Sequence, residues 1–324
     1  MLKKQFDAVA LGELLIDFTN NGITRQGNPL LEANPGGAPC NVLSMLRNYG
    51  KRAAFIGKVG EDLFGKQLRE VLNRLEINTD HLLTDENIPT TLAFVSTTPE
   101  GDRAFSFYRN PGADMMLQEE EIKEEMISTS RLFHFGTLSM TDIGVEKATK
   151  KAVNIAKENK CIITFDPNVR LPLWKDGEDI RKAMEYGFSQ CDVLKISDDE
   201  ISFYTGEGDV YWGIEQIRRK YAGIKLVLAT MGSKGSFACY KNLCITEPAF
   251  LQKAAFETTG AGDTFFAIAI NYILDNGLEN MTREGISQML RHANAGASLI
   301  TARRGAMCVM PHPEEIEALL AESK

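Results

Sequence analysis

The sequence predicts an α/β fold: a mostly parallel central sheet, helices on both of its faces and a small β lid. Short apolar, β-branched runs alternate with amphipathic stretches along most of the 324 residues, which is the pattern of parallel strands joined by crossover helices. One early region breaks this alternation and has the pattern of a β-hairpin. The final third is strongly helical. We therefore expect one three-layer α/β/α domain spanning residues 1–324.

The predicted elements follow one another along the chain. DAVALGELLIDF favours a first strand over a signal peptide, because Asp7, Glu13 and Asp17 interrupt the apolar segment. A helix at APCNVLSMLRNYG, a strand at RAAFIGKVG and a helix at LFGKQLREVLNRLE come next. Buried strands are expected at KCIITFDP, CDVLKIS and IKLVLATMG. The helices of the last third are DTFFAIAINYILDNG, TREGISQMLRHANAGASLITA and PEEIEALLAES.

The hairpin lies in PTTLAFVSTTPEGDRAFSFYRN, where two strands meet at the turn TPEG. A hairpin with one solvent-facing side, inserted early in a parallel α/β chain, is typical of a small lid. We place this lid at residues 14–34 and 88–112.

Composition excludes several classes of protein. The net charge of −8 argues against a nucleic-acid partner, and no apolar run approaches the roughly 18 residues that cross a membrane. The six cysteines form no CxxC pair and the four histidines are scattered, so no structural zinc is expected. Several cysteines lie in apolar runs, where a thiol packs as a small apolar group. We expect reduced thiols and a cytoplasmic protein.

Two common nucleotide signatures do not fit. The glycine pattern GxGxxG is absent after the first strand, since ALGELLIDF contains a single glycine. GEDLFGKQ, residues 60–67, spells GxxxxGK but ends in Gln, where a P-loop needs a hydroxyl for magnesium. A helix capped by Asp62 is the better interpretation.

TTGAGDTFF, residues 258–266, places small residues at the start of an apolar helix. Gly260, Ala261 and Gly262 would let an anion approach the free amides of a helix N-terminus. Asp263 then stands in the first turn, where it could take a proton from a bound hydroxyl. A tight turn followed by a charge that suits the helix dipole explains the same residues equally well.

A second glycine-rich helix start occurs in ANPGGAPCNVLSML. Gly36 and Gly37 allow a close approach of the backbone to a ligand, and the Asn41 carboxamide can donate to and accept from a polyol. One such loop is weak evidence. Two of them, near opposite ends of an α/β chain, are more unusual.

Together these stretches resemble the two signature regions of the ribokinase-like (PfkB) family of carbohydrate kinases. Within that family, GELLIDF, PGGAPCNV, IGKVGEDLFG, FYRNPGADMML, FHFGTLS, FDPNVR and TTGAGDTF are most similar to the fructokinases. The resemblance covers nearly the whole chain. It implies the ribokinase-like, Rossmann-like three-layer fold and transfer of the terminal phosphoryl group of ATP to the 6-hydroxyl of fructose, giving fructose 6-phosphate and ADP.

The resemblance also implies residue roles. Asp263 matches the general base, the amides of Gly260, Ala261 and Gly262 match the anion hole, and Arg170 is expected to contact the phosphates. The sugar contacts implied are Asp17, Gly36, Gly37, Asn41, Arg109 and Asn168. The nucleotide contacts implied are Lys195, Ser197, Glu200, Thr230, Gly232, Gly235, Gly262 and Asn294.

Two cations are implied as well. Glu200 is expected to act on Mg²⁺ through water, and a potassium site is expected mainly from backbone carbonyls near Thr259, Ile300, Arg303 and Gly305. The chain departs from the usual family pattern at Ser197, where many relatives have Asn, and at Glu257, where most have Asp. Because Glu257 borders the potassium site, its longer side chain leaves potassium dependence open.

The resemblance further implies a homodimer formed through the lid. Two alternatives remain open: a PfkB kinase for another sugar, such as 2-keto-3-deoxygluconate or ribose, and a sugar-binding regulatory protein that lost catalysis. The second is disfavoured, because Asp263 and the glycine-rich helix start are both present.

Overall fold

The computed structural model describes residues 4–97, 103–252 and 258–322. The predicted turn TPEG and Glu257 lie outside these ranges. The strands are β1 Phe6–Leu11, β2 Leu15–Ile23, β3 Pro29–Gly36, β4 Ala53–Gly60, β5 Ile77–Asp85, β6 Leu92–Thr97, β7 Arg103–Tyr108, β8 Ser130–Gly136, β9 Ile162–Asp166, β10 Val193–Ser197, β11 Leu226–Thr230, β12 Ser236–Tyr240 and β13 Leu243–Glu247. The helices are α1 Ala38–Asn48, α2 Leu63–Arg74, α3 Glu124–Ser128, α4 Ile143–Glu158, α5 Gly177–Gln190, α6 Asp198–Thr205, α7 Val210–Lys220, α8 Ala261–Asn276, α9 Arg283–Thr301 and α10 Pro313–Glu322.

The central sheet has nine strands in the order β13-β12-β11-β10-β9-β8-β1-β4-β5. All neighbours from β11 to β5 pair in parallel, whereas β12 and β13 add an antiparallel hairpin at one edge. The predicted mostly parallel sheet is therefore confirmed.

Helices cover both faces of this sheet, as predicted. Successive residues of β1 point to opposite faces, so Ala8 and Ala10 pack in one apolar cluster with α8 and α9. Val9 and Leu11 pack in a second cluster with α4 and α5. Strands buried on both faces are apolar throughout, which explains why their sequences show no alternation. None of the described helices is long and apolar enough to cross a membrane.

The lid is a separate four-stranded sheet in the order β3-β2-β6-β7. The predicted first strand is in fact two strands: β1 pairs with β4 and β8, while β2 pairs with β3 and β6. The chain leaves the central sheet at Gly12, where a Cβ atom would lie 2.6 Å from Pro39 Cγ. Asp17 consequently belongs to the lid and not to the end of the first strand. Pairing of two subunits through this lid stays a prediction.

The cysteines differ from expectation at one place. Cys239 and Cys244 are register partners across β12 and β13, with Cα atoms 4.4 Å apart, and they form a disulfide. The expectation of reduced thiols is wrong for this pair. The turn at Lys241 brings the two cysteines opposite each other, although their spacing in the sequence matches no CxxC motif. The other four cysteines are free thiols.

Candidate active site

A cleft of about 810 Å³ opens where the carboxyl ends of the central strands meet the lid. Ser197 and Thr230, the last residues of β10 and β11, line it from the sheet. Gly37 and Gly260, which immediately precede α1 and α8, line it from the helices. Asp17 lines it from the lid. Ligands of parallel α/β proteins bind at this edge of the sheet, and the volume suits a small-molecule ligand.

Helix α8 begins in the cleft without a capping side chain. Gly260 adopts φ 77°, a left-handed conformation that glycine tolerates best. The first amides of a helix have no acceptor within it; that of Ala261 donates to the Thr258 carbonyl at 3.2 Å. A Cβ atom on Gly262 would lie 2.9 Å from Lys195 Nζ. The helix start therefore offers backbone N–H groups and a nearby cation to an anion.

Asp263 stands in the first turn of α8 and is buried. Its Oδ2 accepts a hydrogen bond from Asn41 Nδ2 at 2.8 Å. Burial raises the pKa of Asp263, although Asn41, Lys195 and Arg170 each act to lower it. A raised pKa makes this carboxylate a stronger proton acceptor near neutral pH.

Asn41 projects from α1 beside Asp263. Its Nδ2 is engaged with the carboxylate, whereas its buried Oδ1 has no hydrogen-bond partner within the described ranges. An unpartnered buried carbonyl oxygen is costly. Since Asn41 lines the cleft, a hydroxyl of a bound ligand could satisfy this oxygen.

A charged cluster lies on the other side of Asp263. Lys195 Nζ contacts Asp166 Oδ2 at 2.9 Å, and both side chains are buried. Burial acts to lower the pKa of Lys195, but Asp166, Glu200 and Asp263 together raise it. Burial likewise raises the pKa of Asp166, which Lys195 opposes. The lysine therefore carries the proton of this pair.

Glu200 connects two loops of the cleft. Its Oε2 accepts from the Ser197 amide at 2.9 Å, and its Oε1 accepts from the Val169 amide at 2.8 Å. The adjacent Asn168 has φ 44° and donates its amide to Asp166 at 3.2 Å. These contacts fix the segment that places Arg170 at the cleft.

Many of the residues predicted from sequence meet in this one cleft. Those lining it are Asp17, Gly37, Asn41, Asn168, Arg170, Lys195, Ser197, Glu200, Thr230, Thr259, Gly260, Gly262 and Asp263. Gly36 lies against the Asp17 side chain: a Cβ atom on Gly36 would be 2.2 Å from Asp17 Oδ2.

Arg109 does not line the cleft. Its guanidinium is 2.6 Å from the Asp114 carboxylate, with both side chains 2% exposed, and it donates to Thr141 Oγ1 and to the Leu138 carbonyl. Thr91 also donates to Asp114. In this structure Arg109 joins the end of β7 to the body of the protein, and its role as a sugar contact stays a prediction.

Three residues predicted to bind the nucleotide, Gly232, Gly235 and Asn294, are not among the residues that line the cleft. Asn294 Nδ2 donates to the carbonyls of Glu247 and Pro248. Gly235, at φ 95°, would place a Cβ atom 2.1 Å from the Glu247 carbonyl. Gly232, at φ 55°, faces open space.

The residues predicted to hold potassium fall on two segments. Ile300 lies in the last turn of α9, whereas Arg303 and Gly305, the latter at φ 79°, follow the helix. Thr259 precedes α8, and a Cβ atom on Gly260 would be 2.8 Å from Ala306. The two segments are thus adjacent.

Three acidic residues of the site were missed at the level of sequence: Glu13, Asp114 and Asp166. Glu13 lines the cleft and accepts the Ala38 amide. Each lies within a quoted motif, in GELLIDF, FYRNPGADMML or FDPNVR. Buried carboxylates inside otherwise apolar strand-loop segments are the signal that could have identified Glu13 and Asp166.

The comparisons with known proteins agree with this geometry. Residues 5–313 match the model of the pfkB family of carbohydrate kinases. The chain is 35% identical over 314 residues to a probable fructokinase-4 of Arabidopsis thaliana, covering 96% of each chain. It is also 35% identical to a fructokinase-2 of Solanum habrochaites, covering 96% of this chain and 95% of the relative.

Solved structures show the same fold. A fructokinase from Xylella fastidiosa with bound ATP superposes with a TM-score of 0.88 at 27% identity, covering 99% of both chains. A fructokinase double mutant from Vibrio cholerae, in a fructose, ADP and potassium ion bound form, gives a TM-score of 0.84 at 26% identity, covering 98% of this chain and all of the other. The chain therefore belongs to the PfkB family of carbohydrate kinases.

Proposed function

We propose that the protein is an ATP-dependent fructokinase that phosphorylates the 6-hydroxyl of fructose. The observation that carries this proposal is the buried Asp263 in the first turn of α8, at the helix start that lines the cleft. Fructokinases at 35% identity over 96% of the chain support both the reaction and the acceptor.

Asp263 is the general base in this proposal. Its carboxylate accepts the proton of the attacking hydroxyl, while Asn41 holds the carboxylate in place through the bond of 2.8 Å. Positioning of this kind contributes much of the catalysis of phosphoryl transfer, which needs little covalent participation by the protein.

Charge on the transferring group is stabilised by the start of α8 and by Arg170. The amides of Gly260, Ala261 and Gly262 stand at the positive end of the helix dipole. The guanidinium of Arg170 suits phosphate oxygens and lines the same cleft. Together they would favour the transition state over the bound substrates.

The nucleotide side of the cleft fits ATP with Mg²⁺. Within the described ranges, no three His, Cys, Asp or Glu side chains lie close enough to hold a metal ion. In this proposal the ion is carried by the phosphates and reached by Glu200 through water. When bound, Mg²⁺ neutralises phosphate charge; Lys195 supplies a further fixed cation, which Asp166 holds at 2.9 Å.

The sugar side carries a carboxylate and an amide. Asp17 and Asn41 line it, and their oxygens suit the hydroxyls of a neutral polyol. Fructose meets these requirements.

A panel of acceptors tests the proposal. Purified protein is incubated with ATP, Mg²⁺ and either fructose, glucose, mannose, ribose or 2-keto-3-deoxygluconate, with and without potassium, and ADP release is coupled to a dehydrogenase. Fructose should give the highest kcat/KM, and the product should be fructose 6-phosphate. A higher kcat/KM with another acceptor would contradict the proposed substrate, and no ADP release with any acceptor would contradict the proposed reaction.

A further inference from the structure

Helix α1 needs a cap that its own sequence does not provide. Its N-cap residue is Gly37, which has no side chain, and its first turn contains no acidic residue. Pro39 lacks an N–H group, and the Asn41 amide already donates to the Gly37 carbonyl at 2.9 Å. The Ala38 amide is therefore one of the orphan donors of this helix start.

Gly37 cannot be replaced by one of the usual capping residues. It adopts φ 124°, and a Cβ atom there would lie 2.4 Å from the Glu13 carbonyl oxygen and 3.2 Å from Leu14 Cα. Both contacts are with backbone, which cannot move aside cheaply. Gly37 also lines the cleft, so a side chain would occupy ligand space. The cap must come from elsewhere.

Glu13 supplies that cap from the segment between β1 and β2. Its Oε1 accepts the Ala38 amide at 2.8 Å, and the side chain is 5% exposed. A carboxylate at a helix N-terminus gains from both the hydrogen bond and the dipole. The Glu13 side chain thus bonds the Ala38 amide, while its carbonyl oxygen fills the space that a side chain on Gly37 would need.

The helix that Glu13 anchors carries the partner of the base. Asn41 lies three residues after Ala38 in α1, and its Nδ2 donates to Asp263. A displaced start of α1 would move Asn41 away from Asp263 and would widen the turn at Gly37. Both changes affect the side of the cleft that receives the phosphoryl acceptor.

We propose that Glu13 is a positioning residue: by capping α1 across 25 positions of sequence, it fixes the Gly37 turn and the Asn41–Asp263 pair for the sugar acceptor. This inference rests on the proposed function. It requires an acceptor that binds between Gly37 and Asn41, and it assigns to Glu13 no contact with the reacting atoms.

Three variants test the assignment. Glu13→Met keeps the length of the side chain and removes the acceptor, whereas Glu13→Gln keeps a carbonyl oxygen for the Ala38 amide. Asp209→Ala is the matched control, because Asp209 caps α7 through the amides of Tyr211 and Trp212 and lies outside the cleft lining.

Steady-state kinetics should separate the acceptor from ATP. We expect Glu13→Met to raise the KM for fructose about tenfold, the equivalent of a lost cap, and to leave the KM for ATP within about twofold. Glu13→Gln should return the KM for fructose to within about threefold of the wild type, and Asp209→Ala should change neither KM. Equal changes in both KM values for Glu13→Met, or a Gln variant no better than the Met variant, would overturn the proposal.

Hydrogen–deuterium exchange provides a readout that does not depend on the substrate. Peptides covering residues 37–42 should exchange faster in Glu13→Met than in the wild type, and Glu13→Gln should restore protection. Unchanged exchange in the Met variant would refute the capping role even if fructose proves to be the wrong acceptor. Conversely, if the wild type prefers another sugar, the kinetic test is run with that sugar, so failure of the proposed substrate is distinguished from failure of the Glu13 assignment.

Discussion

Eight of the ten described helices begin in one of two ways. Six of them start at an Asp, Ser or Thr whose side chain accepts a backbone amide of the first turn: Asp62 before α2, Asp142 before α4, Asp176 before α5, Ser197 before α6, Asp209 before α7 and Thr282 before α9. Two of the three helices that start in the cleft, α1 and α8, follow Gly37 and Gly260 and have no capping side chain of their own, whereas the third, α6, keeps its Ser197 cap.

The difference shows what the glycine-led starts of α1 and α8 give up. A side-chain cap stabilises a helix by about 1 kcal/mol, and it occupies the amides that would otherwise bind a ligand. At α8 no side chain occupies these amides. At α1 the cap comes from Glu13, which leaves the glycine turn free to face the cleft.

The largest expected effect tests the catalytic helix start. Asp263→Asn removes the proton acceptor of α8 and keeps its size, so kcat should fall by about 10³-fold while fructose and ATP still bind. Turnover is measured by coupled ADP release and binding by calorimetry. Asp209→Ala, at a capped helix start, should retain kcat. Turnover of Asp263→Asn within tenfold of the wild type would disprove the base assignment.

The next largest effect concerns the ionisation of Glu13, the residue that caps α1. Burial raises the pKa of Glu13 to about 7, with Asp114 raising and Arg109 lowering it. The pKa of Glu13 is higher in the folded than in the unfolded state, so protonation of this carboxyl stabilises the fold. That contribution to the free energy of unfolding is lost as the pH rises from 4.5 through 7. Glu13→Gln carries no such titration.

The free energy of unfolding of Glu13→Gln, relative to the wild type, should therefore increase by about 3 kcal/mol between pH 4.5 and pH 8. Urea denaturation at both pH values measures it. Gly277→Ala removes no ionisable group and should keep a constant difference from the wild type. A constant difference in unfolding free energy between Glu13→Gln and the wild type would show that folding does not raise the pKa of Glu13.

The smallest expected effect concerns the two glycines at the ends of α8. Gly260 and Gly277 have φ 77° and 80°, so alanine costs about 1 kcal/mol of stability at either position. A Cβ atom on Gly260 would lie 2.8 Å from Ala306, whereas Gly277 has open space. Gly260→Ala should lower kcat about tenfold and Gly277→Ala should not. Equal kcat values would show that the geometry of the α8 start tolerates a side chain.

Local patterning predicted much of the fold. The alternation of apolar strands and amphipathic helices predicted the parallel sheet, because a strand buried on both faces must be apolar throughout. Asp62 was predicted to cap a helix, and its Oδ1 accepts the Gly65 amide at 2.7 Å. Such features depend on residues a few positions apart and are therefore readable from sequence.

The candidate site was predicted less completely. Asp263 and Asn41 were identified from the two glycine-rich helix starts and Lys195 through the family resemblance, and all three line one cleft. Arg109 was expected to contact the sugar, but the structure pairs its guanidinium with Asp114. A sequence shows that an arginine is present; it does not show which of several nearby carboxylates and carbonyls its donors reach.

By itself the sequence determined the alternation of strands and helices, the two glycine-rich helix starts and the kinase family, because all three depend on short contiguous stretches of sequence. Tertiary structure alone decided that Glu13 caps α1, that Asn41 holds Asp263 across 222 positions and that Cys239 faces Cys244. These contacts join residues that become neighbours only when the chain folds. Their energy comes from burial and close distance, which exist only once the sheet has assembled.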